Sequence, residues 1–172
     1  MPWGMGVLVR HAMTNPVVTV RPESSLARAL SLLRRHQISG LPVVDGPLHV
    51  VGVLSEKDIA RVFSEAASVR TDDGMLEIFL RSGSKEVFLH SYDVGSGELL
   101  HLGMNALRCL KVREAMTPAP VTISPEASLD EAARIMNERR IRRLPVVEHG
   151  RLVGILTRHD VLGALELRPV PI

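Results

Sequence analysis

The chain repeats itself. Residues 12–45, AMTNPVVTVRPESSLARALSLLRRHQISGLPVVD, align without a gap to residues 115–148, AMTPAPVTISPEASLDEAARIMNERRIRRLPVVE, at an offset of 103. Of these 34 pairs, 15 are identical, including Ala12/Ala115, Met13/Met116, Thr14/Thr117, Pro42/Pro145 and Val44/Val147. Further on, GVLSEKD at 52–58 matches GILTRHD at 154–160, now at an offset of 102. Self-similarity of this length at fixed spacing means one structural unit used twice, so any admissible fold must contain two copies of it.

Each copy reads in the same order. A short extended piece, Val18–Val20 or Val121–Ile123, runs into Pro22 or Pro125, which suits a turn. A helix follows, with apolar residues at i, i+3, i+4 and i+7: Leu26, Ala29, Leu30, Leu33 in one copy, Leu129, Ala132, Ala133, Met136 in the other. Ser128-Leu-Asp-Glu131 is a capping-box sequence for the second of these helices. Two short strands come next, Leu41–Val44 and Val50–Leu54, matched by Leu144–Val147 and Leu152–Leu156. Ser55 or Thr157 then caps a second helix, over Glu56–Ala67 or Arg158–Glu166. The unit is β-α-β-β-α, an α/β (α+β) pattern. A three-stranded sheet with helices on one face cannot close its core alone, so the two copies are expected to pack together.

The expected boundaries are repeat one over 7–67, an insert over 68–111 without a counterpart, and repeat two over 112–167. Within the insert, Met75–Leu80 suggests a helix, while Glu86–Tyr92 and Glu98–Leu102 flank Gly95-Ser96-Gly97 as a hairpin would. Phe63, Phe79, Phe88 and Tyr92, four of the five aromatic residues, fall in or beside the insert. They suit a local mini-core or covering flap, or else a docking surface for a partner.

Composition narrows the function classes. At 172 residues and 45% hydrophobic, the chain can bury a core without disulfide or metal staples. A net charge of +2 argues against a dedicated nucleic-acid binder, whose affinity rests on many phosphate contacts. Cys109 is the only cysteine, which excludes an internal disulfide and any multi-cysteine zinc site, and it reads as a small buried residue. No early stretch reads as a signal peptide and no apolar run approaches the ~20 residues of a membrane span, so a cytoplasmic protein is expected. The seven histidines show no metal-binding spacing, and His159 reads as a surface residue. No P-loop, dinucleotide fingerprint or catalytic carboxylate pair is present. Catalytic residues: none. Metal ligands: none.

The A-M-T openings, the I-S-G-L-P-V-V-D and I-R-R-L-P-V-V-E strands, and the closing G-V-L-S-E-K-D and G-I-L-T-R-H-D resemble the CBS domain, named after cystathionine β-synthase. The match covers both repeats, about two-thirds of the chain, and leaves the insert outside. The resemblance implies a tandem pair packed sheet to sheet about a pseudo-twofold axis, usually dimerised. It also implies a regulatory module that binds AMP, ADP, ATP or S-adenosylmethionine as a ligand, with no cofactor required, and reports to a separate protein. One implied site takes Leu54, Ser55 and Asp58 with Val121, Ile141, Arg142 and Arg143. The other takes Leu156, Thr157 and Asp160 with Val18, Ile38, Ser39 and Gly40.

The chemistry of the closing motif agrees. A hydroxyl at a helix start favours ribose or phosphate oxygens, and an aspartate one turn on can accept from two vicinal ribose hydroxyls. The glycine before it suits close approach of backbone to a ligand. Arg142 and Arg143 stand where copy one has Ser39 and Gly40, so the Asp58 site is expected to grip phosphate and the Asp160 site to bind weakly or take a less charged ligand, although Arg158 and His159 could lean inward. Arg139 and Arg140 read as a solvated basic face at a helix end. Against the sensor stand a scaffold with non-binding clefts and, third, a nucleic-acid-associated regulator using the arginines. An enzyme ranks last.

Overall fold

The computed structural model describes residues 7–64, 67–70, 75–82, 85–92, 105 and 107–166. It has a mixed α+β architecture with antiparallel strand pairing. A 3-10 turn at Val9–His11 precedes helix α1 (Leu26–Arg35), strands β1 (Gly40–Asp45) and β2 (His49–Ser55), and helix α2 (Glu56–Ser64). Strands β3 (Ala67–Arg70), β4 (Met75–Ser82) and β5 (Lys85–Tyr92) follow. A short helix α3, helical at 105 and 107–109, leads into α4 (Val112–Ala115) and β6 (Thr117–Pro118). The second copy then supplies α5 (Leu129–Glu138), β7 (Arg143–Glu148), β8 (Arg151–Thr157) and α6 (Arg158–Glu166).

The repeated helices form for the reasons the spacing gave. Ser25 Oγ accepts from the Arg28 N–H at 3.2 Å and Ser128 Oγ from the Glu131 N–H at 3.1 Å, so each start is capped by serine. Leu26, Ala29 and Leu33 are buried along α1, as are Leu129, Ala132 and Met136 along α5. Both helices stop in one way. Gln37 (φ 53°) and Arg140 (φ 53°) turn left-handed, and the next N–H groups reach back, Ile38 to Leu33 O and Ile141 to Met136 O, both at 3.0 Å. This Schellman ending places Arg139 and Arg140 at an exposed helix terminus, as expected from the sequence.

The extended pieces before the helices are reduced to single parallel bridges, Val20 with Val43 and Ile123 with Val146. The change of offset from 103 to 102 has a local cause. Strands β7 and β8 are joined by His149 (φ 49°) and Gly150 (φ 76°) alone, the doubly left-handed pair that a tight hairpin requires. Copy one connects its strands with three residues, Gly46-Pro47-Leu48.

The compact units are not the sequence repeats. One comprises Val18–Val44 with Gly52–Pro118, and the other Met1–Val17, Asp45–Val51 and Ala119–Ile172. The leading segment of each copy is thus held by the body of the other. In the second unit, Val9 N–H donates to Ala127 O (2.9 Å), Arg10 N–H to Pro125 O (3.0 Å) and Leu129 N–H to Val7 O (2.9 Å). The first unit repeats these bonds one for one: Val112 to Ser24 (2.8 Å), Arg113 to Pro22 (3.1 Å), Leu26 to Leu110 (2.9 Å). Val9 and Val112 are fully buried, and Val9 belongs to a core with Ile123, Leu129, Met136, Leu144 and Leu156. Ion pairs follow the same rule, Arg10 with Glu126 and Arg113 with Glu23.

The insert departs from the sequence reading. Met75–Ser82 is a strand, where a helix was expected over Met75–Leu80. The run Met-Leu-Glu-Ile-Phe-Leu has one charge among five apolar residues, and periodicity does not separate helix from strand over so short a run. The deciding feature is a non-local partner: β4 pairs antiparallel with β5 from Met75↔Tyr92 to Ser82↔Lys85. The expected strand at Glu86–Tyr92 therefore exists as β5, with β4 as partner. The expected partner Glu98–Leu102 and the Gly95–Gly97 turn lie outside the described residues. Strand β3 adds to β4, pairing Ala67 with Phe79, and α2 ends at Ser64, three residues short of the expected Ala67.

Two predictions follow from this packing and these helix ends. A Cβ at Gly154 would lie 2.3 Å from Met13 Sδ and one at Gly52 2.6 Å from Met116 Sδ. Gly154→Ala should therefore cost about 1–3 kcal/mol in chemical denaturation, and the penalty should shrink when Met13→Ala is present, read as a double-mutant cycle. Conversely, Arg140→Gly should raise stability by up to about 1 kcal/mol by relieving the left-handed backbone.

Candidate functional site

Strand β2 passes into α2 and strand β8 into α6 without an intervening loop. So abrupt a junction leaves the first N–H groups of each helix without intrahelical acceptors. The sequence answers this twice with the same pair of groups, a Ser or Thr hydroxyl and an aspartate three residues on. At α2, the Glu56 N–H donates to Ser39 O (3.1 Å) and the Asp58 N–H to Ser55 Oγ (3.4 Å). The Ser55 N–H (2.9 Å) and the Ser55 hydroxyl (2.6 Å) both donate to Asp58 Oδ2. At α6, the Arg158 N–H donates to Arg142 O (2.9 Å) and the Asp160 N–H to Thr157 Oγ1 (3.3 Å). The Thr157 N–H and hydroxyl donate to Asp160 Oδ2, each at 2.7 Å. These are reciprocal capping boxes with aspartate at the third position.

The box fixes the aspartate and leaves its second oxygen as the chemically variable point. An ionised carboxylate accepts about four hydrogen bonds, and Oδ2 already takes two in each motif. At Asp58, Oδ1 faces Arg61 Nη2 at 3.8 Å, and the same nitrogen donates to Ala115 O at 3.1 Å. The residue matching Arg61 in the second copy is Gly163, and among the described residues nothing pairs with Asp160 Oδ1.

The remaining expected residues sort by unit. Ser39 and Gly40 lead into β1, with Ser39 exposed and its carbonyl closing the start of α2. Ile38 is half-buried at the Schellman ending of α1 and Val18 is half-buried before β1. Arg142 and Arg143 hold the matching place in the second unit. Arg143 lies opposite Thr157 in the β7–β8 register, and the Arg142 carbonyl closes the start of α6. The backbone of both arginines thus adjoins the Thr157–Asp160 motif of their own unit, Arg143 through the register and Arg142 through its carbonyl. Arg142 is exposed and Arg143 half-buried; Ile141 packs against the core and Val121 is exposed. Leu54 and Leu156 are fully buried, Leu156 inside the core of its unit. Arg158 and His159 are exposed on the first turn of α6.

Two expectations are corrected. The glycine of each closing motif makes room for protein, since Gly52 seats Met116 and Gly154 seats Met13. The methionine of A-M-T and the glycine of the closing motif are two halves of one contact. Cys109, expected buried, is exposed. The residue that sequence reasoning missed is Arg61, and its signal was available in the repeat alignment as an arginine opposite a glycine. Among the described residues, no three His, Cys, Asp or Glu side chains come together as a metal would need, and no helix is long and apolar enough to cross a membrane.

Comparison with known proteins places this geometry. The CBS domain family model matches residues 9–65 and 112–167. A Methanocaldococcus jannaschii protein, MJ1426, is 32% identical over 161 residues, covering 92% of this chain and 91% of that one. The chloroplastic CBS domain-containing protein CBSX1 of Arabidopsis thaliana is 33% identical over 147 residues, but this chain, 84% of which is matched, spans only 57% of its length. The crystal structure of CBSX2 in complex with AMP is similar at a TM-score of 0.66 and 29% identity, covering 95% of this chain and all of that one. With both repeats matched and the paired capping boxes in place, the chain belongs to the CBS domain family.

Proposed function

We propose that the protein is a ligand-sensing regulatory module that binds an adenosine-containing nucleotide through its two Ser/Thr–Asp motifs. The observation that carries this reading is the duplicated hydroxyl–carboxylate couple, held rigid at the start of α2 and of α6. A carboxylate fixed by two local hydrogen bonds is preorganised to accept from the two vicinal hydroxyls of a ribose. That the related CBSX2 was crystallised with AMP supports the same ligand class here.

The phosphate end of the ligand falls to Arg142 and Arg143, whose guanidinium groups can engage phosphate oxygens bidentately. The sequence alone suggested that these arginines serve Asp58. The β7–β8 register favours Thr157 and Asp160, and the proposal follows the register. The Asp160 motif is then the better site for a charged nucleotide, and the Asp58 motif for a less charged one. Signalling works by differential binding: the nucleotide stabilises one arrangement of the protein, and a separate regulated protein reads it. A homodimer acting in the cytoplasm, without catalysis of its own and without nucleic acid, completes the reading.

Thermal shifts with AMP, ADP, ATP, S-adenosylmethionine and adenosine test it, since a ligand at 100 times its Kd adds about 2.7 kcal/mol of stability. AMP should give a clear shift that Asp160→Ala abolishes or greatly reduces. The double substitution Arg142→Ala with Arg143→Ala should weaken AMP at least tenfold while leaving adenosine within about twofold, since charge-assisted bonds to phosphate are worth about 1.5–3 kcal/mol each. Equal loss for both ligands would remove the phosphate role. No shift with any of the five would leave the closed capping boxes as purely structural and make the scaffold the better reading.

A further inference from the structure

The two copies of the binding motif differ at one position that faces the carboxylate itself. Arg61 lies one turn beyond Asp58 on α2, and its Nη2 sits 3.8 Å from Asp58 Oδ1 and 3.1 Å from the carbonyl of Ala115. The Arg61 side chain is 54% exposed and the Asp58 side chain only 16%, so a half-exposed cation faces a mostly covered carboxylate. The anchoring bond to Ala115 O keeps it there: an arginine free in solvent would spend much of its time elsewhere, whereas one tied to a backbone carbonyl is held near its anion. In the second copy Gly163 occupies this place, and a Cβ built there meets nothing within 4 Å. Among the described residues, the absence of a cation over Asp160 is therefore a matter of residue choice, with no crowding to forbid one.

Because Ser55 and its N–H both occupy Asp58 Oδ2, a diol ligand must draw mainly on Oδ1. We infer that Arg61 is a built-in competitor for that oxygen, setting the Asp58 motif to a weaker affinity than the Asp160 motif for the same ribose. This rests on the reading of the motifs as ribose-binding sites and adds to it a specificity-determining residue outside the repeat's common pattern. The consequence is a module with two thresholds: the motif without a competitor fills first, and the motif guarded by Arg61 fills at higher ligand concentration.

The test uses adenosine, which carries no phosphate and so isolates the diol from any attraction of arginine to anions. Calorimetric titration of the Asp160→Ala protein reads the Asp58 motif alone, and of the Asp58→Ala protein the Asp160 motif alone. Adding Arg61→Gln to the first should tighten adenosine by about two- to fivefold, the factor expected when an exposed ion pair is no longer in competition. Adding Gly163→Arg to the second should weaken adenosine by a similar factor, while Gly163→Gln, which supplies bulk and helix propensity without charge, should change it little. The Gly163 arm stands by itself if loss of the Ala115 bond unfolds the Arg61 variant. Unchanged or weakened binding on Arg61→Gln, together with no effect of Gly163→Arg, overturns the competitor role while leaving the ribose sites intact. Absence of adenosine binding in both single-aspartate backgrounds overturns the ribose reading itself, and the competitor with it.

Discussion

Everything in this molecule depends on a sheet edge and core that each repeat leaves unfinished and that a short segment from outside the repeat completes. The Gly52–Val53 edge of β2 is paired by Pro118 and Thr117, and the Ile155 edge of β8 by Thr14. Val112 and Val9 then fill the cores beneath, each fully buried, a burial worth about 1.5–3 kcal/mol apiece. The methionines that follow them seat on Gly52 and Gly154, where even a methyl group would collide. A glycine in a strand ordinarily weakens it. Here the loss is offset by a contact that no other residue admits, which explains why the A-M-T and glycine motifs occur together in both copies.

Much of this was legible in the sequence. The offset of 103 gave the unit and the i, i+3, i+4, i+7 spacing gave α1 and α5, while the one-residue change of offset found its meaning only in the shorter β7–β8 hairpin. Which leading segment serves which body was not legible, because the two copies are nearly symmetric. Ala12-Met13-Thr14 and Ala115-Met116-Thr117 are identical, so composition offers no preference, and only the backbone bonds from Val9 to Ala127 and from Val112 to Ser24 decide it. The insert was misread at Met75–Leu80 for the complementary reason. It has no second copy against which to check a short apolar run, and the strand exists through its pairing with β5, a non-local partner that local periodicity does not register.

The candidate sites were legible as motifs but not as chemistry. Ser55 with Asp58 and Thr157 with Asp160 were picked out from spacing, and the capping boxes they form are the local reason those residues recur. A helix that begins directly at the end of a strand needs such a cap, whether or not anything binds. On the proposed reading, function enters through what the cap leaves over, namely the second carboxylate oxygen and the groups that reach it.

On that measure the duplicated motifs carry opposite charge arrangements. The first unit has a cation on the helix, at Arg61, directed to the carboxylate, and has Ser39 just before its strand and Gly40 at the start of it. The second has Arg142 just before its strand and Arg143 at the start of it, opposite Thr157, and has Gly163 on the helix. A guanidinium near the carboxylate competes with a ribose, whereas one across from the hydroxyl is disposed to meet a phosphate without occupying the diol's acceptor. On the proposed reading, moving positive charge from the helix turn to the start of the facing strand converts the same backbone motif from a guarded site into an anion-assisted one. On that reading, duplication followed by such a move lets one fold hold two sites of different affinity and charge preference without altering the capping bonds at the start of either helix.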